Sequence, residues 1–189
     1  GSTLTVAANA ESVLSLSAAA SGQKGLYVTV SSRQTPVSAS VRVIRTEGLN
    51  PKGSDYAAAA GEASKELVFP AVAEGDKATL TVYAAGSGSL TAAWVGAAGQ
   101  SVHQYSGDRV TTIDLGDVPK DASALKITAD TKVTAGVTVS RDGNVVGQHV
   151  ARHQLQQRLH HEVALEGARV RQREQVVVRH VELVVDDVQ

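Results

Sequence analysis

The chain has no cysteine and no methionine among its 189 residues, and its aromatic side chains amount to one Trp, one Phe and four Tyr. Without cysteine there is no disulfide, no thiolate nucleophile and no sulfur-ligated zinc or iron–sulfur site. An excess of charge of one sign is lacking too, since 18 Lys and Arg against 19 Asp and Glu leave a net charge of −1. So balanced a surface offers no broad field for capturing nucleic acid or anionic lipid, and neither is expected as a partner. No apolar run nears the ~18 residues that a membrane span requires, and Gly1-Ser2 opens neither a charged n-region nor an apolar h-region. Membrane insertion is therefore not expected of this segment, and any signal or anchor is expected outside it. Small and apolar residues are plentiful: 42% of the chain is hydrophobic, enough for one or two ordinary cores and contrary to wholesale disorder.

Composition changes abruptly near residue 147. Up to Ser140 there are 17 Ser and 14 Thr, and from Arg141 to Gln189 there is neither. All seven lysines lie at or before Lys132, whereas His149, His153, His160, His161 and His180 are five of the six histidines. A domain boundary can shift composition, but loss of Ser, Thr and Lys with gain of Arg, His, Gln and Val is what a GC-rich gene yields when read out of frame. Residues 147–189 are accordingly expected to be an atypical tail, out of frame or disordered. Within it Leu155, Leu159 and Val163 follow helical spacing, while Val176-Val177-Val178 and Leu183-Val184-Val185 read as strand.

Before the break the hydrophobic period is two, the signature of half-buried strands. It runs through Leu4–Val6, Val13–Leu16, Leu26–Val30 and Val37–Val43. It resumes at Leu67–Phe69, Thr79–Tyr83, Leu90–Val95, Ser101–Tyr105, Val110–Leu115, Leu125–Thr128 and Val133–Val139. Glycine and aspartate punctuate these runs, and Asp142-Gly143 between Val139 and Val145 is the strongest hairpin signal. Residues 49–66, with Pro51, Gly53 and the run Ala57–Ala60, read as a connector with one helical turn.

The chain also resembles itself. Leu14, Leu16 and Leu26 align with Ile113, Leu115 and Leu125 at a spacing of 99, and Pro36–Val41 with Lys132–Val137 at a spacing of 96. Seven short strands per such period suit an immunoglobulin-like antiparallel β-sandwich. The expected organisation is an all-β chain: residues 1–48 as the last four strands of a preceding unit, 49–66 as connector, 67–146 as one complete sandwich, and 147–189 as tail.

Three stretches carry a family likeness: Leu67-Val68-Phe69-Pro70-Ala71 opening a unit, Ala78-Thr79-Leu80-Thr81-Val82 after an acidic turn, and Val133-Thr134-Ala135-Gly136-Val137-Thr138-Val139 closing a strand pair. Over residues 3–146 the chain resembles a domain-of-unknown-function family of actinobacterial cell-envelope proteins built from repeated immunoglobulin-like units. The resemblance implies an extracytoplasmic place and a modular build, and it names no active residue.

Candidate chemistry is sparse. Ala85-Gly86-Ser87-Gly88-Ser89 has the outline of a nucleophile elbow but lies between two strands, so a hairpin loop is expected there. His103 is the body's sole histidine, and Asp108 and Asp114 nearby read as turn and solvated-face residues, so no acid–base pair is expected. His149 and His153, with His160, His161 and Glu162, have permissive metal spacing but no fixed scaffold, and Asp114, Asp117 and Asp121 lack the spacing of a calcium loop. They are read as incidental and as solvated turn charges, and no catalytic residue, metal or cofactor is expected.

Trp94, Tyr83 and Tyr105 fall on three successive expected strands, and rings exposed on one sheet face would suit sugar stacking. The blander reading puts Trp94 in the core, where sandwiches of this type commonly bury a tryptophan. The leading expectation is thus a non-enzymatic structural or interaction module of a larger extracytoplasmic cell-envelope protein, with an envelope protein or polysaccharide as partner. The alternative is a carbohydrate-binding module using those three rings. Homodimerisation by strand addition at an open edge such as Leu4–Val6 is a further expectation.

Overall fold

A computed structural model describes residues 5–7, 10–32, 37–47, 49–70, 72, 76–142, 144–150, 176–177 and 181–187. Its elements in chain order are α1 (Ser17–Ala20), β1 (Val37–Ser38), β2 (Ser40–Glu47), β3 (Asn50–Ala58), β4 (Ser64–Pro70), β5 (Lys77–Ala84) and β6 (Gly88–Val95). Then come β7 (Gln100–Tyr105), β8 (Arg109–Asp117), β9 (Ala124–Arg141), β10 (Asn144–Val150), β11 (Val176–Val177) and β12 (Val181–Asp187). The all-β expectation holds: antiparallel sheets curl into a sandwich-like arrangement around one core.

The organising element is β9. Its first half pairs with β4 on one side and β6 on the other, and its second half with β5 and β10. Two sheets result, ordered β4-β9-β6-β7 and β10-β9-β5-β8, with one strand common to both. The expected strands at Leu125–Thr128 and Val133–Val139 are therefore one continuous 18-residue strand. Leu125, Ile127, Ala129, Val133, Ala135, Val137 and Val139 are all buried and all odd-numbered, so β9 changes sheets without moving its apolar side chains off the core. Leu67 and Phe69 of β4, Ala78, Leu80, Val82 and Ala84 of β5, Leu90 and Ala92 of β6 and Ile113 of β8 close over them. Many of these are alanine or valine, and the single Phe69 fills the space that small side chains leave.

Toward the N-terminus the structure departs from the strand pattern. Val13–Leu16 and Leu26–Val30 alternate in sequence, yet apart from a bridge at Ser15 they form no strand with any described residue, and Ser17–Ala20 makes one helical turn. Alternation selects a strand only when a neighbouring ladder takes its backbone groups, and no described neighbour offers one here. Leu4 lies outside the described residues, and Thr5-Val6 has no strand partner among them. Residues 50–58, read as part of a connector, form β3, which pairs antiparallel with β2. Pro51 and Gly53 suggest a break because they sit at a β-bulge: register shifts between Ile44 and Thr46, and Gly53 has φ +104°. Both copies of the 36–41/132–137 match lead into a tight hairpin, one closing at Glu47 and Asn50, the other at Arg141 and Asn144. The second has Asp142 at φ +50°, as the Asp-Gly signal requires. Strand β10 carries the order to Val150, and in the tail β12 pairs parallel with β2 and β11 with β1.

Candidate functional site

Polar side chains gather where β9 passes from one sheet to the other. Asp130 Oδ2 accepts hydrogen bonds from the Ser89 backbone N–H at 2.8 Å and the Ser89 hydroxyl at 2.7 Å. Next to it the buried Tyr105 hydroxyl bonds Thr131 Oγ1 at 2.7 Å and accepts from the Thr131 N–H at 3.2 Å. Gly88 leaves room for that hydroxyl, since a Cβ there would lie 2.6 Å from it. Strands β6 and β7 are thereby pinned to the crossing point of β9.

The Asp130 carboxyl is held below the ordinary aspartate range, chiefly by the Ser89 hydroxyl, then by the Ser89 N–H, with Lys65 assisting against a small opposing effect of burial. Both bonds favour the ionised form. Because the folded value is the lower one, the stability this group contributes is complete above the unfolded value, about 3.9 for a free aspartate, and is lost as pH falls through the folded value. Ser89→Ala is expected to return the Asp130 titration toward the ordinary range, followed by NMR of its carboxyl carbon. An unmoved midpoint would show that Ser89 is not the cause.

A second cluster ties strand ends together. Asp76, 1% exposed, receives Arg141 Nε–H on Oδ1 at 2.5 Å and Nη2–H on Oδ2 at 2.9 Å. Its carbonyl oxygen accepts from the Val118 N–H at 2.8 Å. The approach to β5, the end of β9 and the residue after β8 are so joined around one buried carboxylate.

The three rings singled out in the sequence do not share a surface. Trp94 lies opposite Leu125 and packs, partly buried, against the core from the inner face of β6. Tyr105 is buried with its hydroxyl engaged. Tyr83 is on the outer face of β5, alternating with buried Val82 and Ala84. There it meets a ring that strand spacing does not nominate: Tyr27 stacks on it with centroids 3.9 Å apart and planes 7° from parallel. Tyr27 arrives because the chain around Gly25 crosses β5 and β8 closely, and a Cβ on Gly25 would come within 2.9 Å of Thr81 Cγ2 and 3.0 Å of Thr112 Oγ1.

A family model matches residues 1–182, which takes in the N-terminal hairpin, the sandwich and most of the tail. The chain belongs to DUF5719, a family of unknown function. No curated protein and no solved structure matches it.

The remaining candidates of this DUF5719 chain act as local fasteners. Ser87 Oγ accepts from the Gly107 N–H at 2.8 Å, stapling the β5–β6 loop to the β7–β8 turn. Asp108 takes φ +53° in that turn, and its N–H reaches the Ala84 carbonyl at 2.8 Å. Asp114 Oδ1 accepts from the Gly116 N–H at 2.8 Å. His103 Nε2 lies 2.7 Å from Ser101 Oγ along β7. His153, His160, His161 and Glu162 lie outside the described residues, and His149 enters only as backbone of β10. Among the described residues no cluster of three or more His, Asp or Glu is placed to hold a metal ion, and no helix is long and apolar enough to cross a membrane.

Proposed function

We propose that this DUF5719 chain is a non-enzymatic structural and interaction module of a larger extracytoplasmic cell-envelope protein of actinobacteria. The observation that carries the reading is the sharing of β9 by both sheets, with Asp130, Thr131 and Arg141 fastening its crossing and its end. A strand flanked along its length by β4, β6, β5 and β10 resists extension in shear, because many ladder bonds must fail together. Loops are then free to present contact surfaces. The extracytoplasmic place is supported by the resemblance of Leu67–Ala71 and Val133–Val139 to envelope proteins, and protease treatment of intact cells tests it: the chain is expected to be cleaved. Single-molecule pulling between Ser64 and Asn144 tests the mechanical part. One cooperative rupture is expected, and extension without a force peak would overturn the reading.

A carbohydrate-binding module is the second reading, favoured by a different pair of rings from those the strand spacing nominates. Tyr27 remains 40% exposed on top of Tyr83, and a flat ring presented on a sheet face can stack against a sugar. Titrating envelope polysaccharides while following Tyr27 ring resonances and Trp94 emission separates the two. The structural reading expects no saturable change, whereas saturation of the Tyr27 signals by one polysaccharide would make this a lectin-like domain.

A further inference from the structure

The two sheets of the sandwich end in four outer strands, β4, β8, β10 and β7. Exposed strand edges invite pairing with other chains, and proteins blunt them with charge, proline, bulges or a covering segment. Strand β4 carries Lys65 and Glu66, a register shift between Ser64 and Glu66, and Pro70 at its end. Strand β8 carries Arg109, Asp114 and Asp117, with its register broken opposite Ala78 and Thr79 and Gly116 at φ +71°. Strand β10 has a register shift between Val145 and Gly147 and lies alongside β3.

Among the described residues, strand β7 has none of these protections. Gln100-Ser101-Val102-His103-Gln104-Tyr105 has no acidic or basic residue apart from the histidine, and no proline or glycine. It pairs with β6 through six residues without a shift, and among the described residues with β6 alone. Val102, at its middle, is 64% exposed.

We infer that β7 is the site at which a second copy of this chain adds, antiparallel, edge to edge. The choice of occupant rests on self-complementarity. Side chains directly opposed in an antiparallel pair lie on the same face of the sheet. Ser101 and His103, opposite the buried Ala92 and Leu90, lie on the core side of the sheet, Ser101 exposed at the edge and His103 half-buried, and Gln100, Val102 and Gln104 lie on the other side. A two-fold axis perpendicular to the sheet and passing through Val102 preserves those faces. It sets Val102 against Val102 of the second copy, Gln100 against Gln104, and Ser101 against His103. Apolar meets apolar, amide meets amide, and the hydroxyl–imidazole pairing that His103 and Ser101 make within one strand is repeated between strands. No like charges are directly opposed. The product is a continuous sheet ordered β4-β9-β6-β7-β7-β6-β9-β4. This inference rests on reading the chain as an interaction module, but it makes no use of the glycan surface at Tyr27, which lies on the other sheet.

The absence of cysteine makes the test direct. In the full chain, Val102→Cys places two thiols opposite one another across the axis, so mild oxidation is expected to cross-link it about tenfold faster than Gln104→Cys, whose opposite residue is Gln100. Sedimentation equilibrium of the unaltered chain is expected to show a concentration-dependent dimer. Val102→Lys, a change at an exposed position that leaves the core intact, sets two ammonium groups face to face and is expected to weaken that dimer by about tenfold. A chain that stays monomeric at millimolar concentration, a dimer indifferent to Val102→Lys, or equal cross-linking of the two cysteine variants would each overturn the assignment. Failure of the dimer test leaves the glycan and pulling results standing, so the two failures are distinguishable.

Discussion

Replacing Arg141 with methionine is expected to destabilise the sandwich by about 3 kcal/mol, measured as a lower urea midpoint at unchanged slope. The reason lies in the asymmetry of the pair. Asp76 is 1% exposed, whereas the Arg141 side chain is 59% exposed. Removing the arginine leaves a carboxylate in the core with neither Nε–H nor Nη2–H to replace its lost water, and breaking a buried pair in this way costs about 3–5 kcal/mol. The lower end of that range applies because the guanidinium side already borders solvent. A loss of this size is a large share of a domain's total stability, about 5–15 kcal/mol. Removing both partners tests the cause. Asp76→Leu in the Arg141→Met background abolishes the stranded charge, so the double variant is expected to be more stable than Arg141→Met alone. If Arg141→Met costs only about 0.5 kcal/mol, as an exposed ion pair would, water reaches Asp76 and the pair does little to fasten the approach to β5 onto the end of β9.

The same pair marks where reading along the sequence stops being enough. Period-two alternation locates β4 to β8 and both halves of β9, because each has one face on the core and that face repeats every second residue. It does not reveal that the halves of β9 are one strand. Asp130-Thr131-Lys132 lies between the two runs and carries no apolar side chain. What keeps it extended is Ser89, 41 residues away, and Tyr105, 26 residues away, and no local pattern carries such partners. At β3 the failure runs the other way: Pro51 and Gly53 are real breakers, but on a strand edge they make a bulge and do not end the strand.

For the aromatic residues the parity is legible in the sequence and its meaning is not. Tyr83 alternates with Val82 and Ala84, which already puts it on the face opposite the core, whereas Trp94 shares parity with Leu90 and Ala92. A common platform for Tyr83, Trp94 and Tyr105 needs all three on one outer face, and the structure divides them, with Trp94 and Tyr105 on the core side. The stack on Tyr83 depends on Gly25 fitting against Thr81 and Thr112, a contact spanning more than fifty residues that the sequence displays only as a glycine followed shortly by a tyrosine.

A second large effect is expected at the turn after β6, where Gly96→Ala should destabilise the fold by about 3 kcal/mol in chemical unfolding. Two separate penalties meet there. Gly96 has φ +93°, a backbone region that a side-chain-bearing residue enters only with strain, worth about 1–3 kcal/mol. In addition, a Cβ at Gly96 would contact the Asp121 carbonyl oxygen, and because that atom is backbone it has no rotamer by which to retreat. The Asp121 turn would have to move, and it is held to β6 by the Ser123 N–H and hydroxyl, which donate to the Val95 carbonyl at 2.8 and 3.1 Å. Gly99 provides the control. It has φ +109°, but a Cβ there would meet nothing within 4 Å, so Gly99→Ala carries the conformational penalty without the collision. If the two alanine variants lose equal stability, strain alone accounts for both and the contact with Asp121 contributes nothing. A loss at Gly96 clearly exceeding that at Gly99 assigns the difference to the packing of the β6 turn against the loop that leads into β9.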